Sequence, residues 1–258
     1  MKPDKSRQRV RTMFGEISRR YDFLNHFLSA GTDFYWRWRA VRKVALQPEI
    51  PILDVCTGTG DLALAFRKIA PSSVQIVGTD FTHQMLQIAQ NKKQGLANSP
   101  DSLAPMFLEA DTQQMPFADD SFQLVAVSFG LRNLSDTGAG LREMVRVCQP
   151  GGHVLVLEFS LPGNRWLRSL YLWYFKHILP KIGQLLARNQ HSAYSYLPDT
   201  VSGFPYGQEL ADLMTHHGME AVEWTPLTFG IATLYCGRKP TMQPVTTTAG
   251  NVDAEMTR

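Results

Sequence analysis

Cysteine is scarce: three residues in 258, at Cys56, Cys148 and Cys236. No two stand at metal-ligand spacing, and an odd, scattered set does not build a disulfide framework. The expectation is a reducing, cytoplasmic compartment and no metal centre. Uncharged apolar runs are short as well, none approaching the roughly 18–20 residues that span a bilayer. Residues 1–13 are basic and lack the apolar stretch of a signal peptide. An excess of one charge is also missing. The 26 basic residues face 23 acidic ones, a net charge of +3, which gives no argument for a nucleic-acid partner. There are no internal repeats. Collagen, coiled coils, secreted mini-proteins and integral membrane proteins are excluded together. What is present suffices for a large core: 44% hydrophobic residues against 19% charged.

From Ile52 onward, short apolar runs alternate with helical patterns. Residues 52–55, 74–79, 106–109, 124–129 and 153–159 read as strands. Residues 61–69, 82–91 (with Thr82 as N-cap) and 141–148 read as helices. This alternation predicts right-handed crossovers and an α/β fold, with a mostly parallel sheet and helices on both faces. The end of the chain departs from it. After a helix over 208–216, strands at 221–224 and 228–236 are joined only by a short connection around Pro226. A parallel crossover needs about a dozen residues, so these two pair as a terminal antiparallel hairpin. Three stretches lie outside the alternating domain of residues 48–240 or interrupt it. Residues 1–47 form a helical extension rich in arginine and aromatics, an insertion occupies about residues 161–206, and the Thr-rich tail 241–258 is expected to be disordered.

The first strand runs into Asp54-Val55-Cys56-Thr57-Gly58-Thr59-Gly60-Asp61. Gly58 and Gly60 permit a tight turn and close backbone approach by a ligand, and the helix behind them offers free N–H groups. Asp80 ends the second strand, about 20 residues on, where a carboxylate can take both hydroxyls of a ribose. Gly58, Gly60 and Ala63 also fit a dinucleotide turn, so a nicotinamide enzyme is an open alternative. Charge separates the two readings. Asp61 at the helix start would face a pyrophosphate, at a cost of about 4 kcal/mol for like charges ~4 Å apart at an effective dielectric near 20. Asp54 adds to it. S-adenosylmethionine carries a sulfonium and an ammonium and no phosphate, so an acidic pocket suits it. Asp111 and Thr112 follow the third strand, where they meet an adenine edge.

Further motifs narrow this. Tyr21-Asp22-Phe23-Leu24-Asn25, Gly58-Thr59-Gly60-Asp61, the run from Ala110 to Phe117 and Ser128-Phe129-Gly130-Leu131-Arg132-Asn133 follow one another in order. Pro150-Gly151-Gly152 leads to Leu157-Glu158-Phe159-Ser160, and His177-Ile178-Leu179-Pro180 precedes Tyr194-Ser195-Tyr196-Leu197 and Phe204-Pro205. Together they resemble the ubiquinone/menaquinone biosynthesis C-methyltransferase family, class I S-adenosylmethionine-dependent methyltransferases with a Rossmann-like sheet. The likeness runs from about residue 13 to 239, and residues 128–133 are its most specific part. Carried over by position, it implies cofactor contacts at Thr59, Asp80, Asp111, Thr112 and Ser128, beside Asp54, Gly58 and Gly60 of the turn. Cys56 departs from it, standing where many methyltransferases have glycine.

The resemblance implies C-methylation of a prenylated quinol ring, most readily 2-demethylmenaquinol to menaquinol, with a ubiquinone precursor as the alternative acceptor. The donor methyl is already activated, so no metal is required. The ring carbon becomes nucleophilic when the neighbouring hydroxyl ionises, which needs a base or a cation that stabilises the oxyanion. Arg132 is the candidate cation and Asn133 the group that orients the quinol oxygen or a water. Arg132 serves equally well as partner to a core carboxylate such as Glu158. Tyr21, Asp22, His177, Tyr194 and Tyr196 are candidate bases, and the sequence does not choose among them. Tyr194 and Tyr196, two apart, share a face if the segment is extended. Residues 167–186 interleave aromatics with Arg168, Lys176 and Lys181, a pattern that suits a prenyl channel, a peripheral membrane face or a packed helix. An O- or N-methyltransferase of another small molecule, a non-catalytic subunit of a quinone-biosynthesis complex and a homo-oligomer are also open.

Overall fold

The computed structural model describes residues 5–95, 102–178 and 193–241. Two helices precede the sheet, α1 (Arg7–Leu28) and α2 (Thr32–Val41). The alternating part follows: β1 (Ile52–Val55), α3 (Asp61–Arg67), β2 (Ile76–Asp80), α4 (His83–Gln94), β3 (Met106–Glu109), β4 (Phe122–Ser128), α5 (Thr137–Val147) and β5 (Cys148–Phe159). The insertion contributes α6 (Arg165–His177) and α7 (Ala193–Gly203). Then come α8 (Gln208–His216), β6 (Glu220–Leu227) and β7 (Ala232–Arg238).

Seven strands form one sheet in the order β3-β2-β1-β4-β5-β7-β6. The first five are mutually parallel, and β7 runs antiparallel to both β5 and β6. Alternation along each strand sorts the core. Val125, Val127, Val154 and Val156 pack with Leu141 and Met144 of α5 and with Leu210 and Met214 of α8. Their neighbours Leu124, Ala126, Leu155 and Leu157 pack on the other face with Trp36 of α2, Phe66 of α3 and Ala89 of α4. Helices therefore cover both faces, as the alternation predicts.

Three local expectations are corrected. The hairpin turns not at Pro226 but at Thr228–Gly230, with Pro226 inside β6 opposite Thr233. An edge strand tolerates a proline, and the turn is made by Phe229 and Gly230 at φ 59° and 89°. β5 begins at Cys148, which pairs with Phe122, and Pro150-Gly151-Gly152 falls within the strand beside a shift of register. The segment expected to be extended at Tyr194 and Tyr196 lies in α7, where residues two apart are turned about 200° from one another. The expected disorder of the tail falls, except for Thr241, outside the described residues. Among the described residues, no helix is long and apolar enough to cross a membrane.

Candidate active site

The strand order reverses between β1 and β4, and ligands of such sheets bind beyond the carboxyl ends at that point. The glycine turn lies there. Gly58, at φ 56°, has nothing within 4 Å of where a side chain would begin, whereas a Cβ on Gly60, at φ 84°, would meet the Ala89 Cβ and the Phe107 ring at 2.9 Å. The first glycine leaves room for a ligand and the second lets α3 and α4 close up. The Asp80 carboxylate accepts hydrogen bonds from the backbone N–H of Gly58 at 3.0 Å and of Thr82 at 2.8 Å. Burial pushes its pKa up. Asp80, Gly58, Ser128 and Asn133 line a cavity of about 40 Å³, roofed by Val10, Phe14 and Tyr21 of α1.

The remaining residues expected at the cofactor surround this cavity without lining it. The Thr59 hydroxyl donates to Asp22 at 2.5 Å, and Lys92 donates to Thr59 at 3.0 Å. Thr112 is buried with its hydroxyl 3.3 Å from the Cys56 thiol. Cys56 itself is at φ 51°, the backbone region that suits the glycine common at this place. Asp111 lies along an adjoining open groove with its carboxylate 2.5 Å from Arg7 of α1. Asp54 sits beneath the turn, accepting from the Thr57 hydroxyl at 2.5 Å and the Ala63 N–H at 3.1 Å, and burial raises its pKa to about 7.

The charge argument needs correction. Asp61 does not stand free at the helix start, since Lys92 holds it at 2.6 Å and Arg37 lies 3.5 Å away. Repulsion of a pyrophosphate by Asp61 is therefore largely cancelled. What favours a donor-rich, cationic ligand instead is a shortage of donors: among the described residues, Asn133 Oδ1 on the cavity lining and Asp54 Oδ1 beneath the turn are buried without a hydrogen-bond partner. The residues present thus fit the ribose, ammonium and sulfonium of S-adenosylmethionine.

A second cavity, of about 310 Å³, adjoins the first. Phe14, Tyr21 and Phe129 line both. Its walls are aromatic, with Trp36, Phe129 and Phe159 packed on one another at centroid distances of 4.4–6.1 Å. Phe129 is held at φ 56°, a strained conformation for a bulky residue and one that clusters at functional sites. Arg132 enters this apolar space with a side chain only 7% exposed. Its Nη1 donates to Glu158 at 2.7 Å and to the Phe129 carbonyl at 2.5 Å, and its guanidinium carbon lies 5.0 Å from the Phe159 ring centroid. Arg132 therefore has the carboxylate partner expected for it and also faces the cavity. Asn133 lies on the smaller cavity, away from the place where it was expected to orient an acceptor oxygen.

The candidate bases are dispersed. Tyr21 lines both cavities, but burial raises its pKa, so at neutral pH it is a donor. Asp22 is bound to Thr59 and Lys92 and lines neither cavity. His177 is exposed on α6, Tyr196 is buried against the larger cavity, and the Tyr194 side chain is outside those described. Sequence reasoning missed Asp33. This carboxylate is 3% exposed at the rim of the larger cavity, 2.5 Å from both His26 Nδ1 and Arg37 Nη2 and 2.7 Å from the Ser29 hydroxyl. Burial pushes its pKa up, but the Ser29 hydroxyl and the Arg37 charge outweigh that and hold it low. The four-residue spacing of Asp33 and Arg37 was its only signal.

Comparison with known proteins identifies relatives of this chain. The model of the ubiE/COQ5 methyltransferase family matches residues 2–239. A ubiquinone/menaquinone biosynthesis C-methyltransferase UbiE from Geobacter sulfurreducens is 43% identical, over 90% of this chain and 89% of its own. A demethylmenaquinone methyltransferase from Chlorobaculum tepidum is 40% identical, over 91% and 94%. Among solved structures, an S-adenosylmethionine-dependent methyltransferase from Thermotoga maritima shares the fold with a TM-score of 0.58 at 18% identity, covering 88% of this chain and 99% of that one.

Proposed function

The chain belongs to the ubiE/COQ5 methyltransferase family, and from that premise we propose that it methylates a ring carbon of a demethylated prenyl quinol, 2-demethylmenaquinol first among them. It is an S-adenosylmethionine-dependent C-methyltransferase. The observation that carries the acceptor is the contact of the two cavities: a small one at the glycine turn, bounded by Asp80, Ser128 and Asn133, meets a large one rich in aromatics across Phe14, Tyr21 and Phe129, with a buried arginine in the second.

S-adenosylmethionine supplies an electrophilic methyl on its sulfonium. The residues around Gly58, Asp80 and Ser128 hold the donor, with Thr59, Asp111, Thr112 and Asp54 behind them. Trp36, Phe129 and Phe159 form the aromatic wall against which the flat acceptor lies. Orientation of this kind contributes on the order of 7–11 kcal/mol in favourable cases. Arg132 stabilises the ring oxygen as it ionises, which raises electron density at the adjacent carbon. That carbon bonds to the methyl as the C–S bond breaks, its electron pair staying on sulfur. The ring proton then leaves to water, and aromaticity returns. Incubation with labelled donor and a panel of demethylated naphthoquinols and benzoquinols, read by mass spectrometry, tests this. Methyl gain on a naphthoquinol ring supports it, gain on the benzoquinol alone moves the assignment to the ubiquinone precursor, and no ring methylation refutes it.

The acceptor's prenyl tail places it at a membrane, and α6 suits that surface. Trp166, Leu170 and Phe229 are 87%, 61% and 81% exposed along one apolar groove, with Arg165 beside them. Exposed tryptophan flanked by a basic side chain fits an anionic lipid interface. Flotation with phosphatidylglycerol vesicles should recover the protein, and Trp166→Ala/Phe229→Ala should stay at the bottom of the gradient. Wild-type protein that never floats removes the idea.

A further inference from the structure

Tyr171 carries a buried hydroxyl that nothing above uses. It stands on α6 and lines the larger cavity, 8% exposed, with its ring centroid 4.3 Å from that of Phe175. Its hydroxyl oxygen is out of contact with solvent and has no hydrogen-bond partner among the described residues. Such a group costs the fold the desolvation of its O–H without a compensating bond, and native chains keep few of them. Tyr21, across the same cavity, has Asn25 as its hydrogen-bond partner. Among the described residues, Tyr171 therefore has a donor to give and nothing to give it to.

The surroundings say what would take it. Burial drives the Tyr171 hydroxyl far above the usual tyrosine range, and the nearby Arg132 charge opposes this without overcoming it. The hydroxyl keeps its proton at any pH the protein survives. Phe159 connects the two residues. Its ring carries the Arg132 guanidinium on one side and packs against the apolar cluster that contains Tyr171. Arg132 also has an unused donor, since its Nε is buried without a partner among the described residues. The residues that line one cavity thus carry a neutral O–H and a cationic N–H, both without a partner there, on the side walled by Phe129, Phe159 and Phe175.

We propose that Tyr171 donates its hydroxyl hydrogen to a ring oxygen of the acceptor and, with Arg132, holds that oxygen in its ionised form while the adjacent carbon is methylated. This rests on the reading of the acceptor as a quinol. The proton of the acceptor's own hydroxyl goes to solvent. The Tyr171 O–H bond stays intact, so the residue acts by hydrogen bonding alone. Held in place beside an aromatic wall, such a fixed donor stabilises developing charge more than mobile water does. It also sets specificity. An aromatic acceptor without an oxygen at that position leaves both donors unpaired, and sites built around a substrate oxygen reject such analogues strongly.

Tyr171→Phe tests this by removing one oxygen and keeping the ring in place. For a short-chain demethylated naphthoquinol, kcat/KM should fall about 10²-fold, the usual effect of losing one oxyanion donor. Donor affinity by calorimetry should not change, the thermal midpoint should hold or rise, and the acid limb of the kcat–pH profile should move to higher pH. A merely structural tyrosine would lower the midpoint and leave that limb in place. In the unaltered enzyme, 1-naphthol should inhibit and naphthalene should not. A Tyr171→Phe protein with wild-type kcat/KM and an unmoved limb overturns the proposal, as does equal inhibition by the two naphthalenes. The wild-type reaction run alongside separates the two failures: if it methylates no demethylated quinol, the functional reading falls and takes this role with it.

Discussion

Replacing Glu158 with glutamine should destabilise the protein far more than the loss of one hydrogen bond. The Arg132–Glu158 pair is 2.7 Å long, with side chains 7% and 1% exposed. At an effective dielectric near 20, the attraction at that distance is about 6 kcal/mol. Glutamine keeps one oxygen, enough for only one of the backbone N–H groups of Arg132 and Phe159, which donate to the two different oxygens of Glu158 at 3.3 and 2.8 Å. It removes the charge that balances a buried guanidinium. Breaking a buried pair from one side costs about 3–5 kcal/mol. With a urea slope of about 3 kcal/mol/M, the midpoint should drop by roughly 1–1.7 M. Replacing both residues, as Arg132→Met/Glu158→Leu, should restore most of that stability, because no unpaired charge remains, while methyl transfer stays lost. A Glu158→Gln protein within about 1 kcal/mol of wild type would refute the argument. It would mean that the guanidinium is served by solvent and is not the buried cation on which the acceptor chemistry depends.

The two turn glycines should separate binding from folding. Gly60→Ala, strained at φ 84° and driven into Ala89 and Phe107, should lower stability by about 2–5 kcal/mol in denaturant titrations. Gly58→Ala meets only open space, so it should cost about 1–2 kcal/mol yet weaken donor binding at least tenfold by calorimetry. Asp54 should leave its mark on pH dependence. Its folded pKa of about 7 stands above the ordinary 3.8, so the folded state keeps a proton that the unfolded chain releases. The stabilisation is fully present below pH 3.8 and is lost as pH rises through about 7, with a slope approaching about 1.4 kcal/mol per pH unit between them. Asp54→Asn should flatten that part of the profile in urea titrations across it.

Legibility in the sequence followed the strength of the local signal. β1 and β3 read correctly to the residue because short apolar runs ended in turn residues, and Thr82 marked the start of α4. The start of β5 did not, because Pro150-Gly151-Gly152 carries the chemistry of a turn while backbone hydrogen bonds of Gly151 and Gly152 with Lys239 hold it in the sheet's irregular end. The glycine turn and Asp80 were visible because one strand–helix–strand unit brings them together. The larger cavity was not, since its walls come from α1, α2, α6 and the end of β5, and no spacing rule joins Tyr171 to Arg132. An unpartnered hydroxyl has no sequence signature at all. Pairing hid what charge counting seemed to reveal: Asp61 read as a bare carboxylate, and Lys92, 31 residues away, neutralises it.

One helix is the door to two rooms. Arg7 reaches Asp111, Arg11 reaches Glu109, and Asp22 reaches Thr59 and Lys92, so α1 is fastened along its length to the rim of the donor's chamber. A space of 40 Å³ holds little more than a water molecule. Admitting a fresh donor, and discharging a spent one, needs more space than this, and moving α1 outward would provide it. That movement would also take down a wall of the neighbouring chamber, because Met13, Phe14, Ile17 and Tyr21 face it. Donor exchange by that route would leave the acceptor unsealed, and the aromatic room would be rebuilt around whatever has just been loaded next to it.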